Sequence, residues 1–188
     1  MEKVQIIRGI AMPFYPLRPV DGYVLRNKSS IERLQKDIDS GLWIAQPKMH
    51  GDRACLGLLD GKVYIQNRHG SWFKHKVKNA DVFKKLPDKT VLDGEVFKGN
   101  FYPFEVLAIA GKNLTFQTCF EREVLALKTS EFLEIEWRFG RPSANWLSNL
   151  KKNMPDYDGV VLKKAAMQYV IPGGANGLCC DWVKHRWV

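Results

Sequence analysis

The chain has 188 residues, 45% of them hydrophobic, enough for one well-filled core and too apolar for a disordered polymer. No apolar run reaches the length of a helical membrane span, so a partner in the membrane is not expected. The net charge of +9 is spread along the whole chain, which favours a polyanionic partner, nucleic acid first. Cys55, Cys119, Cys179 and Cys180 show no C-x-x-C spacing and no neighbouring pair of histidines. A zinc site is therefore disfavoured. With no signal peptide, reduced thiols in a cytoplasmic compartment are the expectation.

In chain order, Val4–Ile7 reads as a short strand, and the proline-punctuated segment 12–19 as irregular, extended chain. Ser29 with Glu32 forms a capping box for an amphipathic helix carrying Ile31, Leu34 and Ile38 inward, stopped at Gly41. Next come two apolar runs, Leu42-Trp43-Ile44 and Cys55 to Leu59, read as strands. Suspended between them is Gln46-Pro47-Lys48-Met49-His50-Gly51-Asp52-Arg53. A lysine placed near other cations or out of water loses its proton more easily and becomes a nucleophile. A glycine lets backbone approach a ligand, and an arginine offers a planar fork to phosphate or ribose oxygens.

Asp60-Gly61 marks a hairpin into Val63-Tyr64-Ile65, a strand that runs out at Asn67-Arg68-His69-Gly70. Lys74, His75, Lys76 and Lys78 follow Trp72 and Phe73, either as a solvated loop or as a phosphate-contacting edge. Thr90–Phe97 is an apolar strand with two carboxylates around a glycine, and Phe101–Ile109 another strand, ending near Gly111. Thr118 and Glu121 cap a helix with Phe120, Val124, Leu125 and Leu127 inward. The alternation from Phe132 to Phe139 predicts a strand, and Ser143 a helix with Trp146, Leu147 and Leu150. Strands at 158–163 and 181–187 enclose a glycine-rich loop at 172–177, and the vicinal Cys179 and Cys180 read as core or loop residues.

Six short motifs in order resemble those of the covalent nucleotidyltransferases, the ATP-dependent polynucleotide ligases and mRNA capping enzymes. Lys48-Met49-His50-Gly51-Asp52-Arg53 is similar to the nucleotidyl-lysine motif, and Asn67-Arg68-His69-Gly70 to the Ser-Arg-Asn-Gly motif of DNA ligases. Leu92-Asp93-Gly94-Glu95 resembles the Asp-Gly-Glu strand, and Phe104-Glu105-Val106-Leu107 the aromatic motif that follows it. Asp158-Gly159-Val160-Val161-Leu162-Lys163 is similar to Glu-Gly-Val-Val-Val-Lys, and Trp182-Val183-Lys184-His185-Arg186 to the terminal Trp-x-Lys-x-Lys.

The resemblance implies an α+β fold of antiparallel sheets flanked by helices, a ligase-type (ATP-grasp-like) nucleotidyltransferase domain over residues 1–188. It implies a phage-like ATP-dependent DNA ligase in which Lys48 takes AMP from ATP, passes it to a 5′-phosphate, and a 3′-hydroxyl displaces it. Gln46 is implied at the base edge, Phe104 stacked on the adenine and Val160 or Val161, of which Val161 is taken as the site residue, on its opposite face. Arg53 and Arg68 are implied at the ribose and the nucleic-acid end. Lys163, Lys184 and Arg186 are implied on the phosphates, and Glu95 and Asp158 on Mg²⁺ or Mn²⁺. The expected partner is nicked double-stranded DNA, with RNA or hybrid duplex as variants, bound by a monomer. Asp158 stands where the family carries Glu, and His50 where DNA ligases carry Asp, as in one class of RNA ligases. The last motif ends two residues before the end of the sequence, so an oligonucleotide-binding (OB) barrel is expected to be absent from this chain, either as an excised catalytic domain or as a natural minimal enzyme. Self-adenylation is expected to be slow if the barrel is truly absent. An RNA ligase and a nucleic-acid-binding module without transfer activity are the alternatives. A capping-type guanylyltransferase fits less well, because it has no need of the motif around Arg68.

Overall fold

A computed structural model describes residues 4–7, 10–13, 17–135, 146–147, 152, 157–169 and 178–187. Three antiparallel hairpins build a five-stranded sheet from β5 (Asp52–Leu59), β6 (Lys62–Asn67), β7 (Thr90–Phe97), β8 (Asn100–Ile109) and β9 (Lys112–Asn113), in the order β6-β5-β7-β8-β9. The local reason is the turn chemistry. Asp60-Gly61, Lys98-Gly99 and Ala110-Gly111 all have positive φ at both positions, the conformation whose twist matches that of the flanking strands.

A second sheet has the order β3-β11-β10-β4, from β3 (Arg18–Asp21), β4 (Trp43–Met49), β10 (Tyr157–Lys164) and β11 (Leu178–Arg186). Its inner pairings are antiparallel, but β3 runs parallel to β11 at the edge. The proline-punctuated segment, expected to be irregular, thus begins at the end of a strand, β2 (Ile10–Pro13), which pairs with β1 (Val4–Ile7), and ends within β3. Pro19 is tolerated because an edge strand has donors to spare.

The layers follow from alternation. Cys55 and Leu59 face the other sheet beside Leu17, Ile44, Leu107, Tyr169 and Trp182. Ala54, Leu56 and Leu58 face away, toward Phe83, Phe101 and α2 (Cys119–Leu133). On the far side of the four-stranded sheet, α1 (Lys28–Asp39) packs Leu34 and Ile38 on Ala45, Val160 and Leu162. The order is helix, sheet, sheet, helix, which agrees with the expected fold class. Among the described residues no helix is long and apolar enough to cross a membrane.

Three expectations need correction. The cap of α1 is Asn27, whose side chain accepts from Ser30 N at 3.0 Å; Glu32, expected in the cap, pairs with Lys28 instead. An Asn two residues earlier supplies the same acceptor, so the helix starts sooner. The Thr118–Glu121 cap of α2 forms as expected, but the helix turns a different face inward. Arg122, Ala126, Thr129, Ser130 and Leu133 are buried, whereas Phe120, Val124 and Leu127 are exposed; Leu125 alone of the expected set packs on the core. The cause is an ion pair from Arg122 Nε to Glu105 Oε2 at 2.8 Å, which carries the arginine inside and fixes the helix rotation. Finally, Phe132 and Leu133 belong to α2, which stops at Glu134 in the left-handed conformation, not to a strand. Residues 136–139 of that predicted strand, the 172–177 loop, and all of the 143–150 helix except the helical Trp146 and Leu147 lie outside the described residues.

Gly159, opposite Lys48 and Arg186 in the sheet, has φ +153, and a Cβ there would lie 1.8 Å from the His185 carbonyl oxygen. Gly159→Ala should cost about 3 kcal/mol and lower the Tm by about 6–12 °C in thermal unfolding. An unchanged Tm would contradict that packing.

Candidate active site

Period-two alternation aims one face of the four-stranded sheet at the cleft. Gln46 and Lys48 come from β4, Val161 and Lys163 from β10, Trp182, Lys184 and Arg186 from β11, with Val161 registered between Gln46 and Lys184. The facing sheet contributes Arg53 from β5, Glu95 from β7 and Phe104 from β8. All ten nucleotide-site residues read from the sequence, Gln46, Lys48, Arg53, Arg68, Glu95, Phe104, Val161, Lys163, Lys184 and Arg186, line one cavity of about 280 Å³.

Phe104 reaches it through a break in register. Asp93 pairs with Glu105 but the next residue, Gly94, pairs with Pro103, so Phe104 is the extra residue of a bulge. A bulge re-aims a side chain, here letting Phe104 line the cleft while the next residue, Glu105, stays buried on Lys163 and Arg122. Two cations rest on the Phe104 ring, Arg53 at 4.3 Å and the Lys163 ammonium at 4.8 Å. Lys163 also lies 4.0 Å from the centre of the Trp182 ring.

Each of these cations has a buried counter-charge. Arg53 Nε donates to Asp93 Oδ1 at 2.6 Å and its Nη2 to Asp93 Oδ2 and to the Leu17 carbonyl. Burial opposes the Arg53 charge, but Asp93 outweighs it and raises the guanidinium pKa. This arginine is mainly an internal counter-ion. Lys163, 1% exposed, donates to Glu105 Oε1 at 2.9 Å. Burial pushes the Glu105 carboxyl upward, but Lys163 and Arg122 outweigh it and leave it below its usual value.

Nearer solvent the pairing loosens. Lys48 Nζ contacts Asp158 Oδ2, and both side chains are partly open, at 19% and 29%. Asp158 Oδ1 has no hydrogen-bond partner among the described residues; His50 Nδ1 lies 3.7 Å away. Lys184 and Arg186 share one acceptor, Asp21 Oδ1, at 3.2 Å each. Gln46 Nε2 reaches the Phe104 carbonyl at 3.4 Å. Arg68 is exposed and donates to the His69 ring at 2.9 Å.

Glu95 is pushed up to about 7, first by burial, against the pull of Arg53 and Lys48 and a hydrogen bond from Gly51 N–H. Asp158 borders the cavity through Lys48 and is not among its lining residues. Among the described residues no three metal-binding side chains cluster. Glu95 and the buried, unpartnered Asp158 Oδ1 nonetheless provide hard oxygen donors near Lys48 of the kind that suits Mg²⁺. His185 is structural, its Nδ1 3.1 Å from the Tyr23 carbonyl.

Arg18 and Asp21 were missed by sequence reading, because nothing in a proline-rich segment announces parallel pairing with the last strand. Trp182 had a signal, since it opens the final motif, and its ring walls the cavity.

Neither a family model nor a curated protein matches the sequence. The structure is similar to a mycobacterial DNA ligase D complexed with ATP and MES, at TM-score 0.67 and 18% identity over 92% of this chain and 60% of that one. The ligase domain of M. tuberculosis LigD gives TM-score 0.67 at 18% identity, over 92% and 59% of the two chains. Pmar-Lig_PreS3 gives 0.61 at 16%, over 92% and 46%. The chain thus has the fold of the DNA ligase nucleotidyltransferase domain, and spans about 60% of the length of the mycobacterial ligases it matches.

In metal-free protein the Glu95 carboxyl should titrate with a midpoint near 7, neutral below and charged above, so its hold on a cation strengthens as pH rises. Carbon NMR of labelled glutamate, with Glu95→Gln to assign the resonance, reads this directly. A midpoint near the ordinary 4.5 would show that burial does not control the group.

Proposed function

We propose that this chain is the adenylation domain of an ATP-dependent polynucleotide ligase, acting through AMP bound covalently to Lys48. The observation that carries the reading is convergence: the ordered motifs, scattered over 140 residues of sequence, line a single cavity around a partly open lysine. The fold supports it, and one of the similar structures is complexed with ATP.

In this reading the adenine lies in the cleft between Phe104 and Val161, with Gln46 at its edge and Arg53 and Arg68 beside the ribose. Lys48 gives up a proton, with the Asp158 carboxylate in contact to receive it. Its nitrogen then attacks the α-phosphorus, forming the P–N bond as the bond to pyrophosphate breaks. Charge grows on the phosphate oxygens, and catalysis consists of placing Lys163, Lys184 and Arg186 around them before the reaction. Mg²⁺ or Mn²⁺, when bound, would neutralise further phosphate charge, and Glu95 and Asp158 are the residues that would hold it. AMP then passes to a 5′-phosphate, and a 3′-hydroxyl displaces it, sealing a nick in double-stranded DNA. Such a monomeric, cytoplasmic enzyme would serve replication and repair. An RNA ligase is the second reading, because His50 stands in the nucleotidyl-lysine motif where one class of RNA ligases carries histidine.

After incubation with ATP and Mg²⁺, an intact-mass spectrum should show one added adenylyl group, absent from Lys48→Ala. No adduct in folded wild-type protein would sink the ligase reading and leave a binding module. Asp21 occupies two cations that the reading assigns to phosphate, so Asp21→Asn should tighten ATP binding about two- to fivefold by calorimetry, the range expected for exposed ion pairs. Weaker binding would mean that Asp21 itself serves the nucleotide.

A further inference from the structure

Arg122 lies on α2, outside the lining of the nucleotide cavity, and is fully buried. A buried charge is costly unless it is compensated. Its Nε donates to Glu105 Oε2 at 2.8 Å, and its Nη1 donates to the Gln117 carbonyl. Nη2 is buried with no hydrogen-bond partner among the described residues. The other oxygen of Glu105 holds Lys163 at 2.9 Å. One carboxylate thus serves two cations, one at each oxygen.

Asp93, the neighbouring carboxylate, has one cation, Arg53; its other partner, the Tyr169 hydroxyl, is kept neutral by burial. Asp93 and Glu105 are paired across β7 and β8, so the charges form one network: Arg53, Lys163 and Arg122 against Asp93 and Glu105. Burial also keeps the adjoining Cys55 and Cys119 as neutral thiols. The network therefore carries one positive charge more than its carboxylates cancel. Arg53 and Lys163 present it to the cavity. Glu95, the carboxylate of the cavity lining, interacts with Lys48 as well as with Arg53, and so has a cation of its own. In a low-dielectric interior such a surplus is strongly felt, and an anion relieves it.

We infer that Arg122 is a positioning residue for the nucleotide phosphate. By taking one oxygen of Glu105 it leaves Lys163 with charge to spare, and the network is balanced only when an anion occupies the cavity beside Lys163 and Arg53. Without Arg122, two cations would meet two carboxylates and this part of the cavity wall would be neutral. The identity of the anion, an adenylate phosphate, rests on the ligase reading; the charge count does not.

The test is calorimetric binding of AMP and of adenosine, neither of which carries a pyrophosphate to lose, so that the ratio of the two affinities isolates the phosphate. Wild-type protein should bind AMP more tightly. Arg122→Met, which keeps the reach of the side chain without its charge, should lower the ratio about tenfold and leave adenosine binding within about twofold. Arg122→Lys should restore most of the ratio. Glu105→Gln shifts the count the other way and should raise it. Arg122→Met combined with Glu105→Gln again has one positive charge in excess, and should return the ratio close to that of wild type. An unchanged ratio in Arg122→Met, AMP and adenosine weakening together, or a double variant no better than Arg122→Met would overturn the inference. Should Arg122→Met not fold, Glu105→Gln decides it, and a ratio that does not rise is the contrary result. A Lys48 adduct with an Arg122-independent ratio would overturn the inference and leave the ligase reading intact. An absent adduct with an Arg122-dependent ratio would count against the ligase chemistry and support the inference.

Discussion

Two buried carboxylates on neighbouring strands set the terms for this molecule. Asp93 and Glu105 are directly paired across β7 and β8, and both are shut away from water. Like charges in that position repel, and either one unpaired would cost several kcal/mol. Every carboxylate oxygen is accordingly engaged. Asp93 holds the Arg53 fork and the Tyr169 hydroxyl, the latter at 2.7 Å; Glu105 holds Lys163 and Arg122. Each partner arrives from a different part of the chain, so the pair joins the five-stranded sheet to β10, to α2 and to the segment at Leu17. The same burial holds two thiols far from reactivity: Cys119, 3.7 Å from Glu105, is pushed up to about 12, and Cys55 beside Asp93 is also raised.

That constraint delivers cations to the cleft as a by-product of neutralising the core. Lys163 and Arg53, each paired with one of the buried carboxylates, both rest on the Phe104 ring. The three cavity lysines are then graded by their surroundings. Lys163 is sealed on a buried carboxylate between two rings, and Lys184 is tied to Asp21. Lys48 is held by Asp158, a partner that is itself partly open to solvent. A nucleophile has to exchange its proton and move, which the sealed Lys163 is not placed to do, whereas Lys48 and Lys184 both have counter-ions open to solvent.

Much of this was legible in the sequence because it is local. Two-residue turns ending in glycine fixed the hairpins, and the Thr118–Glu121 box fixed the start of α2. The six ordered motifs named the side chains that line the cavity, since strand alternation alone carries Lys48, Lys163 and Lys184 to one face. What escaped was set at long range. The rotation of α2 depends on Arg122 finding Glu105, 17 residues away in sequence and on another layer. The bulge at Phe104 arises from pairing with β7, and the contribution of Arg18 and Asp21 from parallel pairing with a strand about 160 residues later. Arg53 read as a ligand-facing group; its main work is on Asp93, which no spacing rule reveals.

The proposal that Lys48, and not the sealed Lys163 or the Asp21-bound Lys184, is the nucleophile is tested most directly by locating the transferred group. After reaction with ATP and Mg²⁺, peptide mass mapping under neutral conditions, which preserve a P–N bond, should find the adenylyl group on Lys48 and on no other lysine. An adduct on Lys163 or Lys184 would mean that burial and pairing do not grade the three as described, and would contradict the account.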